Sequence, residues 1–203
     1  MKVCVVGYQG DVEEHIQTLR SLRRRDVVAV RARRLSDLDG CNGIIIPGGE
    51  STTIYRLTVE SGMYRRIVEM AESGTPVMGT CAGLILISKE TFDERVRGMG
   101  LLDVKTRRNA YGRQVDSFIR EIEIDSIGNF MGVFIRAPII EDAGSAKVLA
   151  SEGGRPVMVL QKNVLGMTFH PELTGDTRVH EKFLNMIEGE GYISTGTHGG
   201  EGE

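Results

Sequence analysis

One cysteine in the sequence has neighbours that suit a nucleophile. Cys81 lies in Gly79-Thr80-Cys81-Ala82-Gly83, between an apolar, β-branched run and an apolar helical segment. The order of strand, tight turn and helix is that of a nucleophile elbow, here with cysteine in place of serine. Small residues allow the tight turn, and the N–H groups at the start of the following helix favour a thiolate. Taken alone, the pattern fits a buried cysteine in a glycine-rich turn equally well.

A later segment contributes a base and a carboxylate. Phe169-His170-Pro171-Glu172 is interpreted as extended, because Pro171 disfavours a helical conformation of the residue before it. Side chains alternate along an extended segment, so His170 and Glu172 are expected on one face. A lone histidine is more often structural, but with the elbow cysteine the set predicts a Cys–His–Glu triad. His170 would take the thiol proton of Cys81, and Glu172 would orient the imidazole.

Composition excludes several classes of protein. The chain has 203 residues, 40% of them hydrophobic and 26% charged, with a net charge of −3. These values fit one globular domain and give no electrostatic reason to expect nucleic acid or an anionic membrane as a partner. No apolar run approaches the roughly 20 residues of a membrane span, and the first residues do not resemble a secretory signal. We therefore expect a cytoplasmic protein that binds neither nucleic acid nor membrane.

The sequence around the other two cysteines, Cys4 and Cys41, does not indicate a reactive thiol. The three cysteines are widely spaced, which predicts neither a disulfide framework nor a zinc site. Cys4 and Cys41 are therefore interpreted as small core or turn residues. No metal ion and no cofactor is expected.

Strands and helices alternate in the first half of the sequence. The apolar pattern predicts strands at 2–7, 27–32, 43–47 and before Cys81, and helices at 12–25, from Glu50 onward and at 63–72. Asp11 is a candidate cap of the first helix. This alternation predicts an α/β fold with a doubly wound, mostly parallel, flavodoxin-like sheet. Ligands of such sheets bind beyond the C-terminal strand ends, where the turns with Gln9-Gly10, Gly48-Gly49 and Cys81 meet.

The second half of the sequence predicts a different arrangement. Several short strand-like segments follow one another, which indicates an antiparallel extension of the sheet. A polar segment at 107–114 is expected to form a loop or hairpin, and 177–188 to form an amphipathic helix. We expect residues 1–188 to form a single domain and residues 189–203 to form a flexible tail.

The motifs resemble those of a known family. The segments are Gln9-Gly10, Pro47-Gly48-Gly49-Glu50-Ser51-Thr52-Thr53, the elbow around Cys81, Arg108-Asn109-x-Tyr111-Gly112-Arg113-Gln114, Phe134-Ile135-Arg136-Ala137-Pro138 and Phe169-His170-Pro171-Glu172-Leu173. In order and spacing they resemble the class I, or triad, glutamine amidotransferases. Within that class they are most similar to the glutaminase subunits of pyridoxal 5′-phosphate synthases. The resemblance runs from Lys2 to about Glu188, and it departs at Tyr8, where the family usually has an aliphatic residue, and in the tail.

The resemblance implies a reaction and a partner. It implies hydrolysis of L-glutamine to L-glutamate and ammonia through a cysteine thioester, with Cys81, His170 and Glu172 as catalytic residues. The ammonia would be supplied to a separate synthase (lyase) subunit in a hetero-oligomer that makes pyridoxal 5′-phosphate, or vitamin B6. The oxyanion formed by thiolate attack would be bound by backbone N–H groups of Ala82 and of the Gly48-Gly49 turn. The residues implied to contact or enclose glutamine are Gly49, Glu50, Ser51, Arg108, Ile135 and Arg136.

Other functions remain open from the sequence. The glutaminase subunit of imidazole glycerol phosphate synthase shares the triad but not the loop that begins at Arg108. A cysteine peptidase or a non-catalytic relative would use the same scaffold, although an intact Cys–His–Glu set argues against loss of catalysis. An assay that compares glutamate release with peptide cleavage separates these functions.

Overall fold

The computed structural model describes residues 1–22, 24, 26–108 and 117–189 of the chain. Its first half alternates strands and helices: β1 (Lys2–Val6), α1 (Val12–Ser21), β2 (Val28–Ala32), β3 (Gly43–Ile46), α2 (Ser51–Glu60), α3 (Met63–Glu72), β4 (Val77–Thr80) and α4 (Ala82–Ile87). The prediction of α1 was too long at its C-terminal end. The chain turns there to enter β2, and the N–H of Val27 donates to the carbonyl of Arg24 at 3.1 Å.

The second half consists mainly of strands. They are β5 (Ser88–Thr91), β6 (Leu102–Arg107), β7 (Ser117–Ile124), β8 (Gly128–Ile135), β9 (Ile139–Asp142), β10 (Lys147–Glu152), β11 (Arg155–Gln161) and β12 (Val164–Met167), followed by α5 (Arg178–Ile187). β5 was not predicted, because its polar sequence Ser-Lys-Glu-Thr has no apolar strand pattern. The final helix is confirmed to within one residue at each end.

The strands form one large sheet and two small ones. The large sheet has seven strands in the order β10-β11-β12-β4-β3-β1-β2. The five strands from β12 to β2 are parallel, and β11 and β10 extend the sheet in antiparallel fashion. β5, β6 and β9 form a small sheet, and β7 pairs with β8 in a hairpin. The predicted α/β fold, a mostly parallel sheet with an antiparallel extension in the second half, is confirmed.

The central strands are buried on both faces. Along β1, Val3 and Val5 pack in the apolar layer that contains α1 and α5, whereas Cys4 and Val6 pack in the layer that contains α2, α3 and α4. Alternation of side chains along a strand explains why a continuous apolar run is needed here. The sheet is thus the middle of three layers, and its C-terminal strand ends remain available for polar turns.

Cys4 and Cys41 form a disulfide, which corrects the interpretation of both as separate core residues. The Cα atoms lie 6.1 Å apart, within the range of disulfide geometry. The two cysteines are 37 residues apart in sequence, so their spacing gave no signal. They meet because β1 and β3 are neighbours in the parallel sheet, with Cys4 opposite Ile44, and Cys41 lies just before β3.

Parts of the sequence predictions fall outside the described residues. The Arg108 loop is described only at Arg108 itself, and the predicted tail only at Gly189. The tail and the single domain at 1–188 remain predictions. Within the described ranges, no helix combines the length and the apolar character needed to cross a bilayer.

Candidate active site

Cys81 occupies a strained turn between β4 and α4. Its backbone has φ 48° and ψ −104°, a conformation that a non-glycine residue adopts only where the surroundings enforce it. Its N–H donates to the carbonyl of Met167 at 2.9 Å, which fixes the turn to the end of β12. A Cβ on Gly83 would lie 1.9 Å from the carbonyl oxygen of Ile46, so a larger residue does not fit. The elbow predicted from the small residues is therefore present.

His170 and Glu172 meet, but not on a strand as predicted. β12 ends at Met167, and Pro171–Leu173 form a short 3₁₀ helix that begins after His170. The proline restricts the backbone as expected, yet it does so at the first position of a helical turn, where proline is well tolerated. Nδ1 of His170 lies 2.8 Å from Oε1 of Glu172. The imidazole and the carboxylate are therefore paired by the turn rather than by strand alternation.

The environment of His170 favours its protonated form. Burial lowers the pKa of His170, but hydrogen bonds with Asp11, Cys81 and Glu172 outweigh burial and raise it. Burial raises the pKa of Glu172, and the hydrogen bond from His170 opposes that effect. Nε2 of His170 is buried and makes no hydrogen bond of regular geometry among the described residues. One ring nitrogen is thus held by carboxylates, and the other has no regular hydrogen-bond partner among the described residues.

Asp11 is a second carboxylate at His170, and the sequence analysis missed this role. Its Oδ2 lies 3.2 Å from Nδ1 of His170. Asp11 stands at the N-cap position of α1 as predicted, but its side chain makes no capping hydrogen bond. The available signal was its place at the C-terminal end of β1, on the edge where the catalytic turns were expected.

One ligand atom from each of Asp11, His170 and Glu172 lies within 4.8 Å of the others. Nδ1 of His170 is the ring atom that both carboxylates approach, Asp11 at 3.2 Å and Glu172 at 2.8 Å.

A cavity of about 420 Å³ opens beside Cys81 and contains most of the predicted substrate residues. Its lining consists of Gln9, Asp11, Gly49, Glu50, Ser51, Cys81, Ala82, Ile85, Arg108, Ile135, Arg136, Pro138 and His170. Gly48 is not part of this lining. It packs behind the imidazole, where a Cβ would lie 2.3 Å from Cε1 of His170. The sulfur of Cys81 lies 3.8 Å from the carbonyl oxygen of Ile135, which places β8 across the cavity.

Glu50 and Arg108 form an ion pair at the cavity wall. The Glu50 carboxylate accepts a 2.7 Å hydrogen bond from the N–H of Thr53 and caps α2, and Nη2 of Arg108 lies 2.9 Å from it. Burial raises the pKa of Glu50, but hydrogen bonds from Thr52 and Thr53 and the charge of Arg108 together lower it to about 2. Arg108 also lies 3.6 Å from Asp93. Glu50 therefore has a structural role in addition to any contact with substrate.

Ser51 lines the cavity and has a buried hydroxyl. Its residue is only 2% exposed, and its Oγ has no hydrogen-bond partner within the described part of the chain. A buried hydroxyl without a partner is costly, and a ligand can satisfy it. Among the predicted substrate residues, Ser51 is the one with a side-chain polar atom that is buried and has no hydrogen-bond partner in the described part of the chain.

Residues 5–189 match the SNO glutamine amidotransferase family, which covers most of the chain. The chain belongs to the SNO glutamine amidotransferase family. Within this family, it is 61% identical over 198 residues to the pyridoxal 5′-phosphate synthase subunit PdxT of Thermoplasma acidophilum, with 96% of this chain and 98% of that protein covered. It is 50% identical over 197 residues to the protein of the same name from Archaeoglobus fulgidus, with 93% and 99% covered.

Solved structures agree with this family assignment. A crystal structure described as a glutamine amidotransferase superposes with a TM-score of 0.86 at 42% identity, covering 92% of this chain and 98% of that one. The PurLQS structure of Thermotoga maritima superposes with a TM-score of 0.65 at 19% identity, covering 92% and 98%, and shows a shared fold only. The two relatives from Thermoplasma acidophilum and Archaeoglobus fulgidus are named as subunits of pyridoxal 5′-phosphate synthase. Neither is named as a subunit of imidazole glycerol phosphate synthase, the alternative that the sequence left open.

Proposed function

We propose that the protein is the glutaminase subunit of a pyridoxal 5′-phosphate synthase. It hydrolyses L-glutamine to L-glutamate and ammonia, and the ammonia passes to a synthase subunit in a hetero-oligomer. The observation that carries the proposal is the elbow of Cys81 at a cavity that also contains the imidazole of His170, itself paired with Glu172 at 2.8 Å. The close, nearly full-length relatives named as subunits of this synthase support the choice of acceptor.

The mechanism that we propose uses Cys81 as nucleophile. His170 takes the thiol proton through Nε2, and the thiolate attacks the side-chain amide carbon of glutamine. The tetrahedral intermediate collapses when His170 returns a proton to the departing nitrogen, which leaves as ammonia. Water, deprotonated by His170, then attacks the γ-glutamyl thioester and releases glutamate and the thiol. Glu172 holds the imidazole in place and stabilises its cation at each step.

The oxyanion would be bound by backbone donors at the elbow and at the Gly48-Gly49 turn. The N–H of Ala82 follows the nucleophile directly, as in other elbows. The N–H of Gly48 is already used, because it donates to Oγ1 of Thr80 at 3.0 Å. The remaining donor of that turn is the N–H of Gly49, which belongs to a cavity-lining residue. Each such donor lowers the barrier by about 3 kcal/mol.

The polar end of glutamine would lie at the opposite side of the cavity from Cys81. Arg108 and Arg136 both line the cavity, and a guanidinium suits the α-carboxylate. The unpartnered Oγ of Ser51 is a further acceptor or donor for that end. Glu50 would act mainly by holding Arg108, and Ile135 by closing the cavity with its backbone. We propose a single glutaminase domain at 1–188 that works in the cytoplasm, where free glutamine is available, without a cofactor.

The proposal is tested by reconstitution with the synthase subunit. Glutamate release and pyridoxal 5′-phosphate formation are measured with the chain, the synthase subunit, the synthase substrates and glutamine. Both products are expected. An ammonium salt, added without glutamine and without this chain, should support formation of pyridoxal 5′-phosphate but not release of glutamate. We expect the isolated chain to release glutamate at least about a hundredfold more slowly, because docking completes the oxyanion site at Gly48-Gly49. Glutamate release without any gain in pyridoxal 5′-phosphate would contradict the assigned acceptor.

A further inference from the structure

Two fully buried histidines lie behind the catalytic pair and have no part in the chemistry described so far. His15 on α1 and His180 on α5 are both 0% exposed, and neither lines the cavity. Their rings contact each other, with Nδ1 of His15 2.9 Å from Nε2 of His180. Buried, hydrogen-bonded histidines next to a catalytic carboxylate are candidates for a positioning role.

His15 reaches two groups that matter to the site. Its Nε2 lies 3.4 Å from Oε2 of Glu172 and 3.2 Å from Oγ1 of Thr80. Oε2 of Glu172 is buried and makes no hydrogen bond of regular geometry among the described residues, so Nε2 of His15 approaches it without such a bond. Oγ1 of Thr80 accepts the N–H of Gly48. A single ring nitrogen therefore contacts the catalytic carboxylate and the residue that holds the glycine turn.

Burial decides the charge of these histidines. It lowers the pKa of His15 well below its ordinary value, an effect that the neighbouring His180 and His170 reinforce. Burial also lowers the pKa of His180 to about 4. Both rings are therefore neutral at physiological pH, and each carries one N–H.

The hydrogen-bond partners then select the tautomer. If His15 carried its proton on Nδ1, its Nε2 lone pair would face the oxygen of Glu172, and His180 would hold its own proton on Nδ1. Nδ1 of His180 is buried without a partner among the described residues, and orphaned buried N–H groups are rare. With the proton on Nε2 of His15, that N–H donates to Oγ1 of Thr80 at 3.2 Å, and Nε2–H of His180 donates to Nδ1 of His15 at 2.9 Å. Only the second arrangement leaves no buried ring N–H unpaired.

We propose that His15 is a positioning residue: its Nε2–H holds Thr80, and through Thr80 the N–H of Gly48, and it is the polar group that faces Oε2 of Glu172 at 3.4 Å. One buried imidazole would then fix the positions of the catalytic carboxylate and of the glycine turn, and His180 would set the tautomer of that imidazole. A donor at Oε2 also favours the ionised form of Glu172 against the effect of burial, and the ionised carboxylate stabilises the imidazolium of His170. The titratable groups around this network are Asp11 at the N-cap of α1, His15 from α1, His180 from α5, and His170, Glu172 and Cys81 of the triad.

A pair of amide variants separates positioning from simple packing. In His15→Gln the amide nitrogen reaches the place of Nε2, whereas in His15→Asn it reaches only the place of Nδ1. In the complex with the synthase subunit, His15→Asn is expected to lower kcat for glutamate release about tenfold to a hundredfold, with KM within about twofold. His15→Gln should lose no more than a few-fold. Ile16→Val, a change in an adjacent buried residue of α1, controls for packing and should leave kcat unchanged.

The pH dependence of kcat/KM provides a second test, because loss of a purely structural residue would not shift it. Without the donor at Oε2, the carboxylate of Glu172 stabilises the imidazolium of His170 less well. His170 then loses its proton at lower pH, so the alkaline limb of kcat/KM should move down by about one pH unit in His15→Asn. His15→Gln and Ile16→Val should keep the alkaline limb of the unmodified protein. Equal losses in His15→Gln and His15→Asn, or an unmoved alkaline limb in His15→Asn, would overturn the proposal.

The tautomer can be read without any substitution. In the chain labelled with ¹⁵N-histidine, the ring ¹⁵N shifts report which nitrogen carries the proton, and contacts to the protons of Thr80 and His180 identify the ring of His15. The expected result is a neutral ring protonated on Nε2 from about pH 6 to pH 8. A ring protonated on Nδ1, or on both nitrogens, would contradict the proposal even if the variants fail to fold.

Discussion

The carboxylate of Asp11 lies 3.2 Å from Nδ1 of His170, the same ring atom that Glu172 contacts at 2.8 Å. The imidazole is therefore flanked by two carboxylates from different parts of the chain, one on the loop before α1 and one in the 3₁₀ turn after β12. Glu172 is buried, whereas Asp11 lines the cavity and retains contact with solvent. The two carboxylates should differ in how strongly they affect catalysis.

Asp11→Asn should shift the pH dependence of catalysis without abolishing it. Burial lowers the pKa of His170, and the hydrogen bonds with Asp11, Cys81 and Glu172 raise it above its ordinary value. Removal of one of these carboxylates lowers the pKa of His170, so activity should be lost at a lower pH on the alkaline side. The measurement is kcat/KM for glutamate release against pH, in the complex with the synthase subunit. An alkaline limb that moves to higher pH would contradict this account of the charge around His170.

Substitutions at His170 and Glu172 should not be additive. His170→Asn removes the proposed base and is expected to lower kcat by orders of magnitude, whereas Glu172→Gln should cost less, because in the proposed mechanism Glu172 acts through the imidazole. The double variant should be little slower than His170→Asn alone, since residues of a triad act as a unit. Steady-state glutamate release from all three variants provides the test. Losses that add on a logarithmic scale would show that the two residues act independently.

Gly83→Ala should destabilise the protein through the elbow itself. The added Cβ would lie 1.9 Å from the carbonyl oxygen of Ile46, which is backbone and cannot move aside cheaply. We expect a loss of at least about 2 kcal/mol in the free energy of unfolding, or several degrees in Tm. Gly175→Ala is the matched control, because its Cβ would meet nothing within 4 Å. Equal Tm values for the two variants would rule out the close approach of α4 to β3.

The disulfide between Cys4 and Cys41 predicts a thiol count and a stability difference. Denatured but unreduced protein should show one reactive thiol per chain, that of Cys81, and three after reduction. With a sequence separation of 37 residues between the two cysteines, the cross-link should raise the free energy of unfolding by about 4 kcal/mol. Cys41→Ser should lower Tm and leave glutamate release nearly unchanged at moderate temperature. Three reactive thiols before reduction would show that the bond does not form.

The sequence predicted the features that depend on local pattern. Buried apolar runs alternating with helices indicated the parallel sheet, and the small residues around Cys81 indicated the elbow, because both are imposed by neighbouring residues. The pairing of Cys4 with Cys41 depends on which strands are adjacent, and no local pattern encodes that order. The same holds for Asp11 and His15, which reach the site only because α1 packs beside the 3₁₀ turn. His170 and Glu172 were paired correctly by an incorrect argument, since a turn and a strand both bring residues two apart together.

Covalent labelling of the nucleophile tests the central claim most directly. The complex with the synthase subunit is treated with a diazo-ketone analogue of glutamine, and the modified residue is mapped by peptide mass spectrometry while glutamate release is followed. The account predicts one label per chain, on the sulfur of Cys81, formed in step with the loss of activity and slowed by glutamine. The Cys81→Ala variant should take up no label and release no glutamate. Complete inactivation with the label on any other residue, or glutamate release by Cys81→Ala, would contradict the assignment of Cys81 as the nucleophile.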